Sequence, residues 1–136
     1  MSSPLILTCS EESFKMYNAL CKNDEEREDD TRLKKVKIFY SRTPAIFLSA
    51  TIGIINEKSI EIKKDRQLTR REYILGNPNY DVIKKIIKIK HGLKTEHDIV
   101  IKLMEYAEYG INELYQEYHK TGEIDFNRIS RQAKSG

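Results

Sequence analysis

Apolar residues gather in four stretches of the chain, and the spacing within each predicts a mainly α-helical fold. Phe14, Tyr17, Leu20 and Cys21 recur every three or four residues, which predicts a short helix from Ser10 to Cys21. Thr8, three residues ahead of Glu11, has the form of a capping box at its start. The second stretch, residues 45–55, is apolar on nearly every side, as expected of a helix buried on most faces. Thr43 as N-cap and Pro44 as first helical residue mark its beginning, because the missing proline N–H costs nothing there. Ser49, Ala50 and Gly53 fall on one face of that helix and let another backbone come close, while Ile46, Phe47 and Leu48 supply bulk.

Residues 59–63 alternate polar and apolar, the period of a half-buried strand, with no equally clear partner elsewhere. A turn at 76–79, with Asn79 as N-cap, leads into the third stretch, a helix over residues 80–90. Val82, Ile83, Ile86, Ile87 and Ile89 form its apolar side, Lys84, Lys85 and Lys88 its wet side, and Gly92 ends it. Thr95 then caps a long helix whose early acids, Glu96 and Asp98, suit the positive end of the helix dipole. Ile99, Leu103, Tyr106, Ala107, Gly110, Ile111, Leu114 and Tyr118 step along one face of it, the strongest periodic signal in the chain. Ala107 and Gly110 are small at mid-stripe, so a neighbour crosses there, and residues 45–55 are the natural candidate. Gly122 stops this helix; residues 124–126 can tuck back, and 131–136 read as a frayed tail.

The expected fold is therefore a single small helical domain, residues 1–136, of four to five helices with a short extended segment near residues 59–63. Its expected core contains Phe47, Ala50, Ile54, Ile83, Ile86, Ile87, Ile99, Leu103, Tyr106, Ala107, Ile111 and Leu114.

The 136 residues carry a net charge of only +3, but the charge is divided along the chain. Residues 1–31 balance to −5, residues 32–94 to +11 and residues 95–136 to −3. Six acids and one base at 24–30 repel one another, which predicts a solvated loop over 22–32. No run reaches the roughly 20 apolar residues of a membrane helix, and the first residues lack a signal-peptide pattern. Cys9 and Cys21, without Cys-x-x-Cys spacing, fit a reducing cytoplasm. A cytoplasmic protein without a membrane association is expected.

Candidate chemistry is sparse. His91, His97 and His119 match no zinc spacing, no glycine-rich phosphate loop or Gly-x-Ser-x-Gly elbow exists, and no metal or other cofactor is expected. Glu61-Ile62-Lys63 has the form of the E-x-K half of a magnesium-dependent nuclease site. Such a site needs a further acid upstream, and Asp29 and Asp30 fall in the acidic loop instead. No catalytic residue is assigned. The basic middle offers a nucleic-acid patch of Lys63, Lys64, Arg70, Arg71, Lys84, Lys85, Lys88 and Lys90, with Tyr73 and Tyr80 interleaved. The wet side of an amphipathic helix accounts for the same lysine spacing.

Two segments together resemble a known family. Ile38, Phe39 and Tyr40, leading into residues 45–54 with their Gly53, form one; Glu105, Tyr106, Ala107, Glu108, Tyr109, Gly110, Ile111, Asn112, Glu113 and Leu114 form the other. Their order and separation, over about Val36 to Tyr118, are similar to the small bacterial accessory proteins called Dnd system-associated protein 4, encoded beside genes of DNA phosphorothioate modification and restriction. The shared positions are helix-packing residues, here Ala50, Gly53, Tyr106, Ala107 and Gly110, so the resemblance carries over no catalytic group. It implies a non-enzymatic subunit or adaptor in prokaryotic antiviral defence that docks on a larger protein of a defence complex. Contact with duplex DNA through the basic middle is the alternative, and nuclease action through Glu61 and Lys63 a distant third.

Overall fold

The computed structural model describes residues 6–22, 39–62 and 65–121. The acidic run at 24–30, Lys63, Lys64, Gly122 and the 131–136 tail lie outside the described residues.

The chain runs through β1 (Ile6–Ser10), α1 (Glu11–Leu20), α2 (Arg42–Asn56), β2 (Asp65–Arg70), α3 (Arg71–Leu75), α4 (Pro78–His91) and α5 (Glu96–Thr121). This is the expected mainly helical fold, with five helices and one two-stranded sheet among the described residues. Helix α5 is its axis and packs against α1, α2, α4 and β1. As expected, Thr95 caps it, with Oγ1 accepting the Asp98 N–H at 3.2 Å. The predicted stripe of Ile99, Leu103, Tyr106, Ala107, Gly110, Ile111 and Leu114 is buried, with Tyr118 partly so.

Small residues govern how α2 meets α5. A Cβ on Gly110 would stand 1.8 Å from the Ser49 carbonyl oxygen, and one on Gly53 would stand 2.3 Å from the Tyr106 carbonyl oxygen. The two backbones therefore touch at two points one helical turn apart. Because 49 faces 110 and 53 faces 106, the helices run antiparallel. Ala50 and Ala107 are fully buried beside this contact.

Helix α2 begins two residues before the predicted Pro44. Its N-cap is Ser41 rather than Thr43, and no side-chain bond closes that end. Instead the Arg42 guanidinium gives 2.7 Å hydrogen bonds to the Leu68 carbonyl and to Asn18 Oδ1, tying α2 to β2 and α1. At the other end Glu57 caps the helix in the left-handed region, at φ 56°, which glycine adopts at lower cost.

Three further expectations need correction. The strand lies at Asp65–Arg70, downstream of residues 59–62, which have no regular secondary structure. Its partner is β1, absent from the sequence reading, and pairing is antiparallel with Leu7 opposite Thr69 and Thr8 opposite Gln67. Leu68 is the bulged residue between them, and its carbonyl is the one Arg42 takes. At α1 the cap is Ser10, whose hydroxyl accepts the Ser13 N–H, while Thr8 belongs to β1. At α4 the cap is Asn77, accepting the Asn79 N–H at 2.9 Å, and Pro78 occupies the first turn. Gly92 ends α4 at φ 65°, as expected.

The largest departure concerns the faces of α4. Tyr80, Ile83 and Ile87 are buried, but Ile86 is 39% exposed, Val82 61% and Ile89 85%. The five aliphatic residues span a wider arc than contact with one main neighbour, α5, can cover. Of the expected core, Ile86 is thus outside it and Ile54 only partly buried.

Candidate functional site

Four of the eight predicted phosphate-binding residues lie on α4, and the fold treats them unequally. Lys84 turns toward α5, where its Nζ lies 3.3 Å from a Glu96 carboxylate oxygen. The same carboxylate accepts a short hydrogen bond from the Tyr80 hydroxyl. That bond is the main reason the Glu96 carboxyl sits below its ordinary value of 4.5, with Lys84 adding to it. Lys90 reaches α2 and pairs with Glu57 at 2.8 Å. Lys85 and Lys88 point outward, exposed and without an ion-pair partner among the described residues.

The rest of the predicted patch disperses. Arg70 closes β2 and pairs with Glu72 at 2.9 Å, while Arg71 opens α3, half-buried, its charge acting on Tyr80 and Glu96. Tyr73 is exposed, but Tyr80 is buried at 2% and cannot serve as a stacking platform. The predicted helix-packing residues Ala50, Gly53, Tyr106, Ala107 and Gly110 do come together, at the α2–α5 crossing.

Helix geometry places Val82, Lys85, Ile86 and Ile89 at positions i, i+3, i+4 and i+7, a single outward ridge about 10 Å long. Lys88 borders it one turn on from Lys84 and Lys85. Asp81, also exposed, stands a turn before Lys85 without pairing to it. The outcome is an apolar ridge with free positive charge on it and beside it. Sequence reading missed it because it placed all five aliphatic residues on one apolar side and Ile86 in the core. The available signal was their arc, which no single helix contact could bury.

Elsewhere several polar and titratable side chains are engaged in structure. His91 Nε2 lies 2.6 Å from the Tyr106 hydroxyl, and His119 packs edge-on against Tyr115 at 4.3 Å between centroids. Burial holds His91 below its ordinary value of 6.5, with the charges of Lys102 and Lys90 acting the same way. Cys9 and Cys21 are both buried, and burial followed by the Glu108 charge pushes Cys9 up to about 12. Glu108 is itself 7% exposed and accepts the Ser10 N–H at 3.2 Å. Close by in the core, the Tyr17 and Ser49 hydroxyls are buried beside each other, neither in a hydrogen bond of ordinary geometry among the described residues. Burial raises Tyr17 well above its ordinary value, with Cys9 adding to it.

Glu61 is exposed and on no strand, so it lacks the sheet-edge setting such a site uses. Among the described residues no three His, Cys, Asp or Glu side chains gather to hold a metal ion, and no helix is long and apolar enough to cross a membrane. Comparison with family models, with curated proteins and with solved structures finds no match to this chain.

Proposed function

We propose that this protein is a non-enzymatic accessory subunit that docks on a larger protein in a cytoplasmic prokaryotic defence complex of the DNA phosphorothioation type. The observation carrying the docking part is the outward ridge of α4, above all Ile89 at 85% exposure on an ordered helix. Isolated exposed aliphatics are ordinary on protein surfaces, but three at helical spacing on one ridge form a contact surface. The defence part rests on the resemblance of the two segments that make the α2–α5 crossing.

Direct DNA contact is the weaker reading. Phosphate binding gains from accessible cations, and Lys84, Lys90 and Arg70 already face acids of the same chain. The aliphatic ridge adds nothing to a phosphate contact. Deleting the gene in its native host should abolish phage restriction, and the tagged protein should purify with one larger subunit in fixed stoichiometry. Restriction that persists undiminished, or a protein that purifies alone and binds duplex DNA with a steep salt dependence, would overturn the proposal.

A further inference from the structure

Resting on the docking reading, we infer that α4 inserts its Val82–Lys85–Ile86–Ile89 ridge against an amphipathic helix of a partner protein whose apolar stripe is edged by glutamate or aspartate. The argument is one of charge complementarity. This fold supplies its own acids to the lysines at the flanks of α4: Glu96 to Lys84 at 3.3 Å and Glu57 to Lys90 at 2.8 Å. Lys85 and Lys88, on and beside the ridge, receive none among the described residues. A partner covering Ile86 and Ile89 must cover or pair Lys85, because it stands within the same ridge at i−4 from Ile89. Acidic edges do so, as flanking charges do in paired helices.

Other occupants fit less well. A second copy of the chain would bring Lys85 against Lys85 in the seam. Duplex DNA would set three aliphatic side chains against phosphates. A lipid surface would receive three β-branched aliphatics and two free cations, less apolar area than an interfacial helix buries.

The test uses the full chain and two synthetic peptide helices sharing one leucine stripe, edged by glutamate in one and by lysine in the other. Amide chemical shifts should move on α4 with the glutamate peptide only. The double variant Ile86→Ser/Ile89→Ser should weaken that binding by about tenfold or more. Lys85→Glu/Lys88→Glu should reverse the preference toward the lysine peptide. Both variants alter exposed positions, and an unchanged melting curve establishes that they fold. Equal binding of the two peptides, shifts away from α4, concentration-dependent dimerisation, or co-sedimentation with phosphatidylserine vesicles in place of peptide binding would each overturn the inference. The native complex separates this from the docking reading itself. If the larger subunit still co-purifies with the Ile86→Ser/Ile89→Ser variant, α4 is not the docking face while the adaptor reading stands. If the wild-type chain purifies without a stoichiometric partner, the adaptor reading falls.

Discussion

Helices α2 and α4 both pack on α5, yet they use it in opposite ways. At the α2–α5 crossing the chain dispenses with side chains, and carbonyl groups of Ser49 and Tyr106 occupy the space where Cβ atoms of Gly110 and Gly53 would stand. On α4, bulky aliphatics exceed what the fold can cover, and Val82, Ile86 and Ile89 stay in water. The contrast separates two uses of apolar sequence. Where small residues coincide on two helices, they fix the geometry of the domain and leave no freedom to vary. Where aliphatics overflow one packing arc, they contribute little to stability and remain available to another molecule.

The sharpest way to break this comparison is at the crossing. Gly110→Ala should destabilise by about 3 kcal/mol, because a methyl group cannot coexist with the Ser49 carbonyl at 1.8 Å without separating the helices. A denaturant midpoint equal to wild type would mean that the helices do not meet as described, and Gly110→Leu should be worse still. Beside the same crossing, Tyr17→Phe removes a buried hydroxyl that makes no hydrogen bond of ordinary geometry among the described residues. It should raise stability by about 1 kcal/mol, read from the same denaturation curve.

Effects shrink toward the ends of the helices. Glu57→Gly relieves the left-handed C-cap of α2 at φ 56° and gives up an exposed ion pair to Lys90. Because exposed pairs are weak, the net change should be a slight rise in the melting temperature. His91 provides the pH test. Its folded-state value lies below the ordinary 6.5, so the unfolded chain binds the proton more readily. Its contribution is therefore complete above about pH 6.5 and is lost as pH falls through the window beneath it. Between about pH 7.5 and pH 5.5 wild type should lose a few tenths of a kcal/mol that His91→Gln does not lose. The smallest effect belongs to the outer face of α4: Ile89→Ser should leave the melting temperature of the isolated protein unchanged. A clear loss of stability there would place Ile89 in the core and remove the ridge.

Much of the fold is legible in the residues because its strongest signals are local or repetitive. The α5 stripe, the Thr95 and Gly92 caps and the small residues of both crossing helices each state a requirement that neighbouring positions share. The sheet was not legible. β1 and β2 are five and six residues long, separated by more than fifty, and β2 reads Asp-Arg-Gln-Leu-Thr-Arg with one apolar residue. Arg42 reaching the bulged Leu68 carbonyl, Cys9, Leu7 and Leu68 buried against the helices, and Arg66 pairing with Glu11 together make that pairing favourable. The candidate site was half legible. Its lysines were found by composition, but composition gives no sign of which acid another helix will bring to each.

Sequence alone determined that α1, α2, α4 and α5 are helical, that Thr95 caps α5 and Gly92 ends α4, and that α2 and α5 approach closely, since helical period and glycine placement act within a few residues. Tertiary structure alone decided which of the α4 aliphatics are buried and which of its lysines are free. Both depend on where α5 and Glu57 come to lie, and packing fixes those positions over long stretches of chain.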